Sequence, residues 1–533
     1  MENADSSHSR PGGRDYLVMG ILAVGALLFR LIFLSAPRVL TGDEGHYAES
    51  LFRFLHGSFL GGVSEYWSFL YPFAAIPFGA FAHDAETGLR LLSAVSGAAL
   101  VVPSMMIARR LWGNRAAAFA GLFIVLQPNL ISFSTAAITE SLFSLLIMCA
   151  LYLFLRGMDG EGMRSYAGAG AVLGLAYLVR PESIAVLVMF ALFAPVGRGT
   201  AERGAALSAR TRRSIVMAVL FVAMLVPYLF LLRAATGGWT GGSKAAVNLS
   251  SPVVWQDNLA REEYVYSLND EGTARRIDDL ARESALKVFW RQKGAIASGY
   301  PAKMGAGIGL LPFLLSSPLL LLFVPLGLLG RKWRREDRGA ESLLLVLGLF
   351  PFVFYSLFRV ELRYLVPYLP VYLLWAGAGC AALLDWFAAR VSARRAASAT
   401  LAALVFLSLV PYTVHRYAVM GKSQPLEWRE IGRRIGENES PAPRILAQSG
   451  CSISYYAGNP AATFIPWTDA AGLVRYARFH RYEYIVVDEE YIREARPTLQ
   501  SILDHPPSEL EALKEFKSES GGRILIYRVK SSY

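Results

Sequence analysis

The chain has 533 residues, with 53 Lys+Arg against 42 Asp+Glu and a formal net charge of +11. Hydrophobic residues make up 54% and charged residues only 18%, where a soluble protein carries about a quarter, and mean hydropathy is +0.36. These values argue against a soluble enzyme, a disordered protein and a disulfide-framed secreted module, and they favour a polytopic membrane protein.

The N-terminal 1–15 is polar and reads as a cytoplasmic tail. The apolar run that follows is long enough to span and has no small-residue cleavage site after it, so it reads as a retained helix rather than a signal peptide. Runs near the ~20 residues needed to cross a bilayer recur along the chain. They predict helices at 16–35, 88–108, 116–132, 139–155, 166–180, 182–196, 214–232, 308–329, 341–358, 364–384 and 397–414, with the short fifth and sixth open to being one broken unit. Segment 66–82 is apolar but holds Pro72 and Pro77 and many aromatics, and is expected to be a re-entrant or interfacial helix pair. Gly168, Gly170 and Gly174 are expected to be helix-packing contacts.

Basic residues then fix the sides. Arg10 and Arg14, Arg109–Arg115, Arg156 and Arg164, Arg198–Arg213, Arg331–Arg338 and Arg390–Arg395 fall in every second loop. Eleven spans with a cytoplasmic N-terminus require that alternation. It accounts for the charge surplus as topology, so no nucleic acid is needed to explain it. The other side holds the first outer loop (36–87), a short turn near 133–140, a long loop (233–307) expected to fold over the cavity, and a soluble tail (415–533). Strands at 444–448, 484–488 and 523–529, with helices at 468–481 and 489–503, give that tail a βαβ arrangement. The 16–414 body and the tail are the two large units.

Candidate chemistry sits on this outer face. Asp43 and Glu44 directly follow the first helix, flanked by Gly42 and Gly45, which permit close backbone approach. Carboxylates beside a bilayer are costly unless used or paired, although Asp43 or Thr41 could equally cap a helix. Glu140 is a second acid, readable as catalytic or as a residue favoured by a helix dipole. Arg359 and Arg363, spaced to share a helix face with Glu361 turned away, and Arg180 offer forked donors for phosphate; interfacial snorkelling, or a local Arg180–Glu182 pair, is the alternative. His46, Tyr47, Tyr71 and Tyr364 are candidate substrate-binding residues. An acid to take a proton from a hydroxyl and arginines to stabilise a departing phosphate describe group transfer from a lipid phosphate. The three cysteines are scattered and no Cys/His metal spacing exists.

Five segments in order carry a resemblance: GDEGHYA at 42–48, GLRLLSAVSG at 88–97, TESLF at 139–143, GLAYLVRPE at 174–182 and RYLVPYLP at 363–370. Over most of 16–384 the chain resembles GT-C-fold glycosyltransferases of the protein-mannosyltransferase and lipid A aminoarabinose-transferase (glycosyltransferase 39-like) superfamily. The resemblance implies an integral, multi-pass GT-C enzyme, which agrees with the eleven spans read from hydropathy and leaves a place for the small extracytoplasmic α/β tail; a bacterial inner membrane is the expected location. It implies an inverting transfer from a polyprenyl-phosphate sugar to a glycan, lipid or protein acceptor. Asp43 would be the base, Glu44 a positioning residue, Glu140 the second outer acid (often Asp in relatives) and Arg363 the phosphate holder. No cofactor is expected to be required, with a divalent metal left open. A same-fold oligosaccharyltransferase using a lipid diphosphate is disfavoured because the second loop has Glu140 alone rather than an acid cluster. A transporter is disfavoured because the charges lie at one interface instead of the midplane.

Overall fold

In the computed structural model the apolar runs become helices, several of which run on through a proline, as at Pro227, Pro351 and Pro411. The structure describes residues 12–160, 162–194, 207–240, 284–331, 333–390 and 394–530 apart from isolated positions after 422, together with Leu249, Leu259, Glu263 and residues 266–268. Most of 241–283, the part of the long outer loop expected to cover the cavity, lies outside the described residues.

The membrane body begins with α1 (Gly13–Leu34) and then α2 (Asp43–Leu55). Two short helices follow, α3 (Leu70–Ala74) and α4 (Ile76–Ala82). At 1.5 Å per residue neither can cross ~30 Å of hydrocarbon, so 66–82 does not form a span. Next come α5 (Ala85–Trp112), α6 (Asn114–Leu126), α7 (Pro128–Ser134) and α8 (Glu140–Met158). They are followed by α9 (Met163–Val179), α10 (Ser183–Phe193) and α11 (Leu207–Thr236). The second half contains α12 (Ala285–Gly309), α13 (Leu311–Leu315), α14 (Pro318–Leu329), α15 (Arg338–Tyr355), α16 (Leu362–Phe387) and α17 (Arg394–Lys422).

Among the described residues seven helices are long and apolar enough to cross a membrane, or nine if each of two bent pairs counts as one span. Eleven was the expectation, and the difference has local causes. The fifth and sixth runs become α9 and α10, separated at Arg180-Pro181-Glu182 and only 17 and 11 residues long. The 308–329 run is not one helix. Its two parts meet at a 110° bend where Ser316 takes a left-handed φ of 56° and Ser317 caps the helix opened by Pro318. The polar reading of 233–307 also misses α12, which is helical from Ala285.

Buried polar side chains satisfy the carbonyls that these breaks release. Gln127 donates to the carbonyls of Leu314 (2.8 Å) and Leu315 (3.2 Å), and Asn129 donates to that of Phe313 (2.8 Å). Arg30 lies wholly inside the body and donates to Ser134 Oγ (2.9 Å) and to the carbonyls of Ala26 and Ile124. The glycines of α9 do pack as expected: a Cβ on Gly170 would lie 2.3 Å from the Met217 carbonyl oxygen of α11.

Contacts between helix ends define one face. Asp15 at the start of α1 pairs with Arg109 at the end of α5 (3.3 Å), Arg110 forks onto Asp159 past the end of α8, and Arg115 pairs with Asp385 near the end of α16. The other face carries the candidate site and the C-terminal domain.

That domain opens with α18 (Leu426–Glu437) and β1 (Ile445–Ala447), then α19 (Gly450–Tyr456), α20 (Ala470–Phe479), β2 (Tyr484–Asp488) and α21 (Glu489–Ala495). β3 (Leu510–Lys517) and β4 (Arg523–Val529) complete a sheet of order β1-β2-β4-β3. β1 and β2 are parallel, as the βαβ reading requires, while β4 runs antiparallel to both β2 and β3. β3 was not expected: it is an edge strand with most side chains exposed, and its charges hide the strand pattern. The helix expected over 489–503 stops at Ala495, just before Pro497.

Candidate active site

Four segments far apart in sequence bring the candidate charges together. Gly42, with φ 50° and ψ −120°, turns the chain from the loop after α1 into α2, so that Asp43 is the first helical residue. Any side chain at that left-handed φ is strained. Glu44 then folds back. Its Oε2 accepts from the Thr41 backbone N–H (3.0 Å) and hydroxyl (3.3 Å), and its Oε1 accepts from the Ala137 N–H (3.1 Å). Both oxygens of this buried carboxylate are therefore used in tying the loop after α1 to the turn that precedes Glu140, which suits a positioning residue.

Asp43 instead meets an arginine. Arg363 Nη1 donates to Asp43 Oδ2 at 3.0 Å, and Nη2 donates to the Tyr364 hydroxyl at 3.0 Å. Arg363 Nε also lies 3.0 Å from Glu361. The expected shared helix face of Arg359 and Arg363 does not exist, because the chain is extended at Glu361 and the helix begins only at Leu362. Glu361 consequently does not point away. It bridges the two arginines, 2.6 Å from Arg359 Nε, so Arg359 stands one residue removed from Asp43.

The second acid–arginine pair is deeper. Arg180 Nη1 donates to Glu140 Oε1 (3.1 Å), while its Nε donates to Glu182 (2.5 Å). The local pair and the site pair are thus the same guanidinium. The Tyr355 hydroxyl donates to Glu182 (2.6 Å), and its ring stacks on that of Tyr364 at 4.9 Å. Glu140 Oε2 is buried without a hydrogen-bond partner.

Tyr47, one helical turn from Asp43, links the pairs. Its hydroxyl pKa is raised by burial and by Asp43 and Glu140, and opposed by Arg180 and Arg363, so all four charges act on one point. Tyr364 touches Arg363 directly, and Arg180 lies 5.5 Å over its ring. Tyr71 differs from the expectation for a substrate-binding residue: it is fully buried and its hydroxyl bonds the Leu89 carbonyl (3.1 Å) and Ser93 Oγ (2.8 Å). It packs the wall behind Tyr47, with ring centroids 5.2 Å apart. His46 stacks on Trp67 at 4.2 Å and faces the C-terminal domain, with Cys451 Sγ 3.6 Å from Nε2. Among the described residues no three His, Cys, Asp or Glu side chains are grouped to hold a metal ion.

Tyr355 and Trp67 were not anticipated. Nothing distinguishes them in a chain with 25 Tyr, 10 Trp and 30 Phe, whereas a charge at the end of an apolar run is conspicuous.

With this arrangement described, its relatives can be compared. Residues 69–230 match the family model described as dolichyl-phosphate-mannose-protein mannosyltransferase. The crystal structure of ArnT from Cupriavidus metallidurans bound to undecaprenyl phosphate superimposes with a TM-score of 0.58 at 17% identity, covering 97% of this chain and 98% of that one. The chain has the GT-C fold of membrane glycosyltransferases. The Archaeoglobus fulgidus oligosaccharyltransferase tethered to an acceptor peptide has a TM-score of 0.60 at 12% identity, covering 97% of this chain and 74% of that one. The same archaeal enzyme with an inhibitory peptide and a dolichol-phosphate matches with a TM-score of 0.60 at 13% identity, over 96% and 74%. No curated protein sequence matches the chain significantly.

Proposed function

We propose that the protein is an inverting membrane glycosyltransferase that moves a sugar from a polyprenyl-phosphate donor to a hydroxyl of a glycan, lipid or protein acceptor. The observation that carries this reading is the Asp43–Arg363 contact beside Glu140–Arg180, two acids and two arginines at one end of the helical body. In the reaction the acceptor oxygen forms a bond to the anomeric carbon, and the bond from that carbon to the phosphate oxygen breaks. The electron pair leaves with the polyprenyl phosphate, and the hydroxyl proton passes to Asp43. Arg363 meets the developing negative charge on the phosphate.

The hydrogen bond between Asp43 and Arg363 gives this scheme an order. While paired, the carboxylate is a weak base and the guanidinium is partly spent. A donor phosphate that engages Arg363 competes for the same donors and releases Asp43 for the acceptor proton. Arg180 is held in place between Glu140 and Glu182, which already meet its charge, and so positions Glu140 in the site. Arg363 supplies the charge stabilisation in this scheme, and no metal is assigned a part.

In the ArnT relative undecaprenyl phosphate is the bound lipid, and in the archaeal relative a dolichol-phosphate. Both support a lipid-phosphate donor here. The alternation of basic loops supports a cytoplasmic N-terminus, an extracytoplasmic site and a C-terminal domain on that outer side of a bacterial inner membrane.

The test is Asp43→Asn in lipid nanodiscs with a polyprenyl-phosphate sugar. Transfer should fall by at least about a hundredfold, while donor binding is retained. Arg363→Lys keeps the charge but loses the fork and should raise the donor KM. Full transfer by Asp43→Asn would remove the base assignment.

A further inference from the structure

One face of α2 continues past the carboxylate. Asp43, His46 and Tyr47 stand at i, i+3 and i+4 and so lie together. His46 lies against the Trp67 ring with an interplanar angle of 17°, and Tyr47 meets the same ring edge-on at 5.9 Å. On its other side His46 approaches Phe464 of the C-terminal domain, with centroids 5.7 Å apart. Phe464 in turn meets Tyr266 of the long outer loop at 5.3 Å.

His46, Trp67, Tyr266 and Phe464 come from four separate stretches of chain, and each residue keeps part of its surface exposed although the imidazole of His46 is itself enclosed by its neighbours. Rings that only filled a core would be hidden. Tyr266 is held from behind. Its carbonyl accepts from the Trp467 backbone N–H (2.7 Å), and the fully buried Arg496 lies 4.9 Å from its ring centroid and 5.2 Å from those of Trp467 and Tyr491. The wall is thus fixed by a cation–π box.

The chemistry of the wall is that of packed aromatic rings with part of their surface exposed, beside the carboxylate of Asp43. His46 is neutral near pH 7, since burial lowers its pKa to about 4, so the ring adds no charge to the surface. Exposed aromatic surface of this kind receives the C–H groups of a sugar ring by apolar contact and the ring quadrupole. They offer no positive group to a phosphate. Inversion places acceptor and leaving phosphate on opposite faces of the anomeric carbon, and Arg363 marks the phosphate side of Asp43. The aromatic wall lies along α2 from Asp43, on the C-terminal domain side.

We propose that His46, Trp67 and Phe464, with Tyr266 behind them, form an acceptor subsite for a carbohydrate ring, and that the C-terminal domain contributes directly to it through Phe464. This rests on the glycosyltransferase reading. The test uses the full chain in nanodiscs free of glycoside detergent, with methyl glycosides as probes and methanol as a ring-less acceptor. Phe464→Ala should raise the KM for a methyl glycoside by about tenfold, leave the donor KM unchanged, and leave the rate with methanol unchanged; Phe464→Tyr should restore the preference. A rise in donor KM alone would give the wall to the donor sugar and overturn the proposal, as would equal loss with both acceptors.

Saturation-transfer NMR reads the same probes without turnover. If the wild type transfers nothing yet binds a methyl glycoside in a Phe464- and Trp67-dependent way, the sugar site stands and the transferase reading falls. If binding is indifferent to both rings, the subsite falls.

Discussion

His46 ties the pH response of the fold to its place between two domains. Burial holds its pKa down to about 4 against an ordinary 6.5, with Asp43 on its own helix opposing the shift. From the C-terminal domain it faces the thiol of Cys451, itself pushed up by burial and so neutral. Above pH 6.5 the imidazole is neutral folded or unfolded. Between 6.5 and 4 the unfolded chain takes up a proton that the folded one refuses, so stability falls as pH falls. The wild-type melting temperature in nanodiscs should drop between about pH 7 and about pH 5, and His46→Phe should drop less. An equal drop in both would show that His46 is not the titrating group. At this scale the sequence exposes charges well: Asp43, Glu140, Arg180 and Arg363 are all visible as ionisable groups at the ends of apolar runs. It does not expose which acid meets which arginine, because Asp43 and Arg363 are 320 positions apart. Nor does it mark Trp67 or Phe464, which become distinctive only when the C-terminal domain brings ring to ring.

Between elements, the crossing of α2 over α19 sets how closely the C-terminal domain approaches the site. A Cβ on Gly45 would stand 2.5 Å from Cys451 Cβ, an atom that no rotamer change can withdraw. Gly45→Ala therefore forces the helices apart, at a cost of about 1–3 kcal/mol, and should lower both the melting temperature and transfer. Cys451→Gly removes the atom met at 2.5 Å and leaves the next contacts at 3.4 Å and beyond. The double variant should recover most of both losses, and a double variant as impaired as Gly45→Ala would mean that the crossing is not what the glycine protects. The need for close approach was readable from Gly45 beside the acids, but its partner was not; Gly42, read the same way, has nothing within 4 Å of a Cβ and serves instead through its positive φ. Element boundaries show the same division. Long uniform runs such as those of α1 and α8 are legible from hydropathy alone. Hydropathy does not reveal that Ser316-Ser317-Pro318 bends an apolar run, since the stabilising groups, Gln127 and Asn129, lie nearly 190 positions away. β3 escapes detection because an exposed edge strand has only one side to bury.

At the scale of the whole molecule, the +11 charge separates into two populations. Arg109, Arg110 and Arg115 pair with Asp15, Asp159 and Asp385 on one face, while the arginines of the other face meet the acids of the site and of the domain latch. The latch centres on Glu86 in the first turn of α5. Arg429 Nη2 lies 2.9 Å from its Oε1, the Tyr456 hydroxyl donates to its Oε2 (2.8 Å), and Arg90 lies 3.7 Å away. Beside it the Tyr455 hydroxyl donates to Asp84 (2.6 Å) and accepts from the Glu86 backbone N–H (3.0 Å). These contacts hold α18 and α19 to the membrane body, and α19 is the helix that rests on α2. Loss of one partner leaves a buried carboxylate undercompensated, although Arg90 and Tyr456 keep part of the pairing for Glu86. Arg429→Ala should therefore loosen the domain without melting the spans. Hydrogen exchange should rise in α19 and in the first turn of α2, with the interiors of α8 and α16 unchanged, and glycoside transfer should weaken while donor binding persists. If exchange in α19 stays at the wild-type rate, the latch does not govern docking, and the contacts of α19 with Leu40 and Gly45 must hold the domain.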